Sequence, residues 1–235
     1  MENFNEHIKN KANELRADLI GFADISSLDN NSNMGFKYGI SIGIKLDKNI
    51  IEKIPFGPFI DYYEEYEAAN KKLDYLRRTL SEYIIGLGYS SFGDIIPQND
   101  DLRTPLPHKT IARLAGIGWI GKSSLLINEK YGSAIRITSI LTNIPLEVNL
   151  MTIDSKCKDC KICYNACPAN AINGVDWSIE TDRDKLIDPR KCKSKVIERG
   201  KKFNIDVASC GICIAVCPYT KKYLNSKVLV PHFRI

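Results

Sequence analysis

Histidine, methionine and tryptophan are scarce in this 235-residue chain, which holds three, three and two of them. None of the histidines lies near the eight cysteines, so a zinc site of mixed cysteine and histidine ligands has little to draw on. No apolar run approaches the ~18 residues that cross a bilayer, and no membrane association is expected. The first residues lack the apolar core of a signal peptide, which leaves the cytoplasm as the expected compartment and counts against the oxidising surroundings that disulfides need. Low-complexity segments are missing too. At this length, with 44% hydrophobic residues, the chain has room for one or two packed domains.

Charge is unevenly placed. Residues 1–150 carry 17 basic and 19 acidic side chains and residues 151–235 carry 16 and 9, so the halves stand at −2 and +7. A basic half raises the question of nucleic acid, the more so because Lys191, Lys193, Lys195, Arg199, Lys201 and Lys202 are bunched together.

The same half holds every cysteine. Cys157, Cys160, Cys163 and Cys167 follow the spacing C-x2-C-x2-C-x3-C-P of bacterial ferredoxins, in which three close thiolates hold one 4Fe-4S cluster and the fourth ligates another. Cys210, Cys213 and Cys217 repeat the C-x2-C-x3-C-P ending, and Cys192 stands 18 residues before Cys210 as a detached fourth ligand. Eight cysteines thus account for two clusters without remainder. By analogy with two-cluster ferredoxins the pairing is crossed: Cys157, Cys160, Cys163 and Cys217 for one cluster, Cys192, Cys210, Cys213 and Cys167 for the other. Zinc and disulfides are the competing readings. Two oxidised clusters, each with about two net negative charges, would offset more than half of the +7 and weaken the nucleic-acid reading.

Before the cysteines, Phe4, Ile8, Ala12, Leu15 and Leu19 fall at helical steps and predict a helix over residues 2–20 closed by Gly21. Residues 38–46 alternate, with Ile40, Ile42, Ile44 and Leu46 on one face and Gly39, Ser41, Gly43 and Lys45 on the other. The two glycines leave room for a closely packed helix, the preferred reading, or for a flat ligand. A long helix is predicted over 61–85, a short strand over 89–96 and a short helix over 108–115. Residues 124–128 and 134–143 read as strands joined as a hairpin. The fold class is α+β with an at least partly antiparallel sheet, in a domain ending near Leu150.

Gly116-Ile-Gly-Trp-Ile-Gly-Lys-Ser satisfies the G-x4-G-K-S pattern of a phosphate-binding loop. That loop requires a strand before the first glycine and a helix after the last. Here a helical pattern precedes and an apolar, strand-like run follows, so nucleotide hydrolysis is not the expected chemistry.

The run Leu106-Pro-His-Lys-Thr-Ile-Ala-Arg-Leu-Ala-Gly-Ile-Gly-Trp-Ile-Gly-Lys, then Tyr-Gly-Ser, Ile-Leu-Thr-Asn and the cysteine motifs, resembles epoxyqueuosine reductases from about residue 15 to 220. The resemblance implies a nitroreductase-like corrinoid-binding domain over 1–150 and a ferredoxin-like domain with two 4Fe-4S clusters over 151–235. It implies cobalamin as cofactor, with Pro105, Ala112, Gly116, Gly118, Trp119, Gly121 and Lys122 lining it. It also implies a proton-donating Asp ahead of the glycine motif; that place is Leu102 here, with Asp101 one residue away. The C-terminal helical-repeat region with which those enzymes hold transfer RNA is not matched, so transfer RNA is a doubtful partner.

Low-potential clusters suit a corrinoid, whose useful reduced state is a strong reductant and nucleophile. Asp101 and His108 are the candidate proton-handling residues, with Lys109 and Lys122 the other titratable groups nearby. One reading is a cobalamin-dependent reductase fed by a low-potential donor such as a ferredoxin or flavodoxin. A second is an electron-transfer module that reduces a corrinoid and has no organic substrate, and a third places a flavin in the N-terminal half. No D-x-H-x-x-G stretch is present to supply a lower cobalt ligand, so a bound cobalamin is expected with its nucleotide tail detached.

If both clusters assemble, iron and acid-labile sulfide should each approach about eight per chain after anaerobic reconstitution. One zinc with no sulfide would refute this.

Overall fold

The alternation seen between Tyr38 and Leu46 becomes the central strand of the fold. The computed structural model describes residues 3–55, 60–148, 153–204 and 210–226. In chain order its elements are α1 (Phe4–Glu14), β1 (Leu19–Asp24), α2 (Asn30–Asn33), β2 (Tyr38–Lys45), α3 (Lys48–Lys53), α4 (Ile60–Gly86), β3 (Ser91–Phe92), α5 (His108–Leu114), β4 (Trp119–Ile120), β5 (Leu126–Ile127), β6 (Ile135–Thr142), α6 (Ile162–Ala166), α7 (Arg183–Leu186), α8 (Pro189–Lys201), α9 (Ile212–Ala215) and α10 (Pro218–Asn225). The described strands form an antiparallel sheet in the order β1-β2-β6-β3 and a separate β4-β5 pair.

Helices cover both faces of the sheet. Ile40, Ile42 and Ile44 of β2 pack with Ile8 and Ala12 of α1 and with Leu73, Leu76, Leu80 and Ile84 of α4 in one buried cluster. Each of these leucines and isoleucines, removed from water, stabilises the fold by about 1.5–3 kcal/mol. On the opposite face α5 lies so close that a Cβ at Gly39 would stand 2.8 Å from Ile111. The room beside the strand glycines is therefore filled by a helix and by the Leu19 side chain, which reaches Gly43. No flat ligand fits there.

Two expectations need correction. The first helix stops at Glu14: Leu15 is its C-cap and Arg16 turns into the left-handed region at φ 60°. Leu19 and Gly21 then belong to β1, where Gly21 faces Ser41 and Ala115 closes off the space a side chain would need. An apolar run as short as Leu19–Ala23 carries too little periodicity to distinguish strand from helix. The hairpin is the second case. β5 pairs back onto β4, with Trp119 opposite Ile127, while β6 spans eight residues and pairs with β2 along its whole length.

The expected domain limit at Leu150 lies outside the described residues. Beyond it the chain returns to the first layer: Ile214, Ala215 and Tyr223 join the same buried cluster as α4 and β2. The Tyr223 hydroxyl donates to the Leu46 carbonyl at 2.9 Å, and Lys48 donates to the Ser226 carbonyl at 2.6 Å. Among the described residues, no helix is long and apolar enough to cross a membrane.

Gly132 marks this docking, since it holds φ 60° and a Cβ there would overlap the Thr220 backbone. Gly132→Ala should cost about 1–3 kcal/mol, combining backbone strain with overpacking. Thermal unfolding followed by circular dichroism will read this as a lowered midpoint; an unchanged midpoint would mean that the contact is not made.

Candidate cofactor sites

The short helices α6 and α9 each begin just after a cysteine, Cys160 and Cys210, carry the next one, Cys163 and Cys213, and pack against one another. This folds the cysteine segment into two similar halves. Cys157, Cys160, Cys163 and Cys217 line a cavity of about 240 Å³, which Lys122 and Tyr219 also border and which Cys213 touches. Burial pushes the Cys163 thiol up to about 11, and the nearby thiols of Cys157, Cys217 and Cys160 add to the shift. In the other half, burial raises Cys192, with Cys167 and Cys210 adding to it, and burial raises Cys213, with Cys210 and Cys192 adding to it. Cys157, Cys160, Cys163 and Cys217 thus share one cavity, and Cys167, Cys192, Cys210 and Cys213 are the thiols that remain as the second foursome.

Donors also approach the sulfurs. The Ala171 N–H lies 3.4 Å from Cys167 Sγ, and Arg199 Nη1 lies 3.2 Å from Cys210 Sγ. The cysteines are free thiols in this structure. No three His, Cys, Asp or Glu side chains converge as one ion requires among the described residues. A cubane asks for something wider, because each of its four thiolates binds a different iron. The buried Trp119 indole N–H has no protein partner, and its ring packs with Cys217 and, edge-on at 4.8 Å, with Tyr219.

A second, larger cavity of about 580 Å³ opens between the sheet and the cysteine segment. Tyr62 and Tyr66 of α4, Ile135 to Ile137 of β6, the start of α5 and Trp177, Ile179 and Ile214 border it. Ile214 directly follows Cys213, so this wall adjoins the second foursome. Burial raises the pKa of the Tyr62 hydroxyl and keeps it protonated, with the Cys213 and Cys210 thiols adding to the shift and Arg136 opposing it.

None of the residues expected to line the corrinoid borders this larger cavity; Pro105, Ala112, Gly116, Gly118, Trp119, Gly121 and Lys122 are all placed elsewhere, and of the glycine motif only Ile120 reaches it. Gly116 sits at φ 70° just past the end of α5, and Ala112 is buried under the sheet. Gly118 lets Ile127 cross its backbone, where a Cβ would overlap the Ile127 carbonyl. Gly121 lies against Ile127 and Cys157. Lys122 donates to the Lys158 carbonyl and stands 3.5 Å from Asp176, at the cysteine cavity. Pro105 is exposed. The large cavity is instead floored by the flanking Ile120, Ser124, Leu125 and Leu126. Helix before and strand after the motif is also the reverse of a phosphate loop.

Of the two proton-handling candidates, Asp101 is outside. Its carboxylate meets Arg190 at 3.1 Å, both side chains about 70% exposed, and the cavity is bordered by Leu102 instead. The loop is fixed in this form by Asn99, whose side chain accepts from the Asp101 and Arg103 N–H groups, and by Arg183, which donates to the Leu102 and Asp101 carbonyls at 2.6 and 2.8 Å. Leu102 itself is left-handed, at φ 58°.

His108 does border the cavity. Burial, with the Arg77 and Arg136 guanidiniums nearby, holds it down at about 4, so it is neutral at pH 7, and its Nδ1 is buried without a protein partner. Lys109 donates to the Ser124 carbonyl at 2.7 Å and is lowered to about 8 by burial and, secondarily, by Arg183. Arg136 and Tyr66 escaped the sequence reading. A charged residue between Ile135 and Ile137 in the strand that spans the sheet was the available signal.

Residues 156–220 match the 4Fe-4S double cluster binding domain, so the C-terminal segment is of the class that carries two such clusters. The chain as a whole resembles epoxyqueuosine reductases. The enzyme of Aliivibrio fischeri is 30% identical over 173 residues, 69% of this chain and 40% of that one. That of Leadbetterella byssophila is 32% identical over 162 residues, 67% and 49%. The chain therefore spans less than half the length of these relatives. Its fold is shared with epoxyqueuosine reductase from Streptococcus thermophilus (TM-score 0.63, 22% identity, 94% of this chain and 67% of that one) and with a catabolic reductive dehalogenase (TM-score 0.73, 18% identity, 92% and 31%). It is the nitroreductase-like fold of corrinoid proteins joined to a ferredoxin-like double-cluster segment.

Because Lys109 is buried without an acidic partner, its ammonium should lose its proton near pH 8, well below an exposed lysine. Reductive 13C-methylation followed by NMR titration will show one dimethyl-lysine signal moving in that range, absent from Lys109→Met. A full set of signals titrating above pH 10 would contradict the burial.

Proposed function

We propose that this protein is an iron-sulfur oxidoreductase in which two 4Fe-4S clusters pass low-potential electrons to a cobalamin held in the 580 Å³ cavity, for the reduction of a substrate. In this reading Cys157, Cys160, Cys163 and Cys217 hold one cluster and Cys167, Cys192, Cys210 and Cys213 the other. The observation that carries it is the shared wall: Ile214 borders the cavity and follows a cysteine of the second foursome. One solved relative of the same fold is described as a reductive dehalogenase of B12-dependent dehalogenation.

When bound, a corrinoid supplies a strong reductant that tolerates an apolar surrounding. The chain's share is to exclude water with Leu106, Ile120, Leu125 and Leu126, and to leave His108 Nδ1 free for a hydrogen bond to whatever enters. The electron donor, a ferredoxin or flavodoxin, would dock on α8, which carries Cys192 and the exposed Lys191, Lys193 and Lys201. A related epoxyqueuosine reductase has been solved with a transfer RNA stem loop, and these lysines would serve such a partner too. A corrinoid-reducing module without an organic substrate is the second reading, favoured by Leu102 standing at the cavity where the resemblance calls for an acid.

Cys192→Ala should convert the second cluster to a 3Fe form or lose it and leave the first intact. Unaltered iron and EPR signals would show that Cys192 is not a ligand.

Titration of the reconstituted protein with Co(II) cobalamin, followed by EPR, tests the corrinoid. Binding should shift the cobalt signal and remove the nitrogen splitting of the lower base, since the tail is expected to detach. An unshifted signal with protein in excess would discard the reading.

A further inference from the structure

The larger cavity holds positive charge that the carboxylates of the described residues neutralise only in part. Four cations border it: Arg103, Lys109, Arg136 and Arg183. No carboxylate borders it among the described residues. Arg103 and Arg183 are nevertheless paired, with Asp182 at 2.9 Å and Asp184 at 2.9 and 2.7 Å just behind the wall. Arg136 and Lys109 are held differently. Arg136 Nη2 donates to Asn70 Oδ1 at 2.7 Å and to the Tyr66 hydroxyl at 3.2 Å, and the guanidinium stands 4.2 Å over the Tyr66 ring. Lys109 donates to the Ser124 carbonyl and, at 3.3 Å, to its hydroxyl. Neutral oxygens and a ring face orient a cation without cancelling its charge. Partly desolvated and unpaired, such charges are costly, and an anion in the cavity would offset the cost.

His108 adds a second, independent observation. Its Nδ1 is buried, unpartnered and part of the cavity wall, and Arg136 lies close enough to act on it, together with Arg77 from α4. A neutral imidazole in the same wall as a guanidinium can donate one hydrogen bond to an oxyanion whose charge the arginine meets. Because Asn70 also accepts from Arg136 Nε at 3.2 Å and Nη2 is shared between Asn70 and Tyr66, the guanidinium keeps Nη1 as the donor for a carboxylate or phosphate.

We propose that Arg136 and His108, with Lys109 as a further cation, form an oxyanion subsite that binds a carboxylate or phosphate group of the substrate. The inference deepens the reductase reading of this cavity by fixing the substrate class as an anion. A cobalamin also carries a phosphate, in its nucleotide tail, and the test separates that source.

The test uses the cluster-reconstituted protein without corrinoid, titrated with benzoate and with inorganic phosphate while the imidazole C2–H signals are followed by NMR. Three histidines give three signals, and His108→Gln assigns one of them. That signal should move saturably with at least one anion, and the His108 pKa should rise from about 4, because a bound anion favours the imidazolium. Arg136→Leu should weaken the anion roughly tenfold or more, and Arg136→Lys, which keeps the charge without the planar fork, by less. If Arg136→Leu does not fold, the unmodified protein decides alone: no saturable shift with either anion overturns the subsite. The titration is then repeated with cobalamin bound and with cobinamide, which lacks the nucleotide phosphate. An anion response kept in both supports a substrate site, whereas a response kept with cobinamide and lost with cobalamin assigns the subsite to the cofactor's phosphate and overturns the proposal. Failure of cobalamin to bind while the anion response persists would remove the corrinoid reading and leave the subsite standing.

Discussion

The return of the cysteine segment onto the first layer is the constraint on which the rest depends, and Ile214 concentrates it. This residue is 8% exposed, packs in the main core, borders the larger cavity and directly follows Cys213. A ferredoxin-like segment of this size holds few apolar side chains of its own. Docking Ile214, Ala215 and Tyr223 into a core already built by α4 and β2 supplies the burial that the segment lacks. It also fixes the position of the second thiol foursome relative to the cavity, so in the proposed reading electron delivery would depend on the same contact as stability. Gly211, whose Cβ would crowd Tyr62 and Ile54, lets α9 approach closely enough to make it.

The sequence shows the cysteines most clearly, because the spacing within each C-x2-C run is a local property. Alternation in β2 and the long stripe of α4 were equally visible, each running over enough residues to establish its period. β1 was not, since Leu19 to Ala23 is short and follows a helix whose stripe it happens to continue. The β4–β5 pair was missed for another reason: its two-residue strands have no period at all, and their pairing is decided by Gly118 admitting Ile127 across its backbone. Arg136 stood out only as a charge between two isoleucines of a strand, because its meaning as a site residue depends on which acids border it, and that is a property of the folded wall rather than of any motif.

Charge has opposite roles on the two sides of the molecule. Around the cysteines the basic excess meets clusters that are themselves anionic, so Arg199 beside Cys210 and Lys122 at the first foursome are compensated once iron is bound. At the larger cavity no carboxylate of the described residues borders Arg136 and Lys109. The same residue types therefore carry different meanings, and only the placement of the acids distinguishes them.

The glycine motif shows how a familiar pattern takes a different use. In a phosphate loop its glycines free backbone N–H groups for an anion. Here they thin a partition. Neighbouring residues of the β4–β5 hairpin face opposite ways: Lys122, Ser123 and Ile127 border the cysteine cavity, while Ile120, Ser124, Leu125 and Leu126 border the large one. Two cavities suited to redox groups are thus separated by the thickness of one hairpin. Side chains at Gly118 and Gly121 would force the two strands of that hairpin apart at Ile127, and one at Gly121 would crowd Cys157. The motif need not touch either cofactor to matter: what it provides is proximity between them, and for electron transfer through a protein interior that is the quantity a small residue can most directly improve.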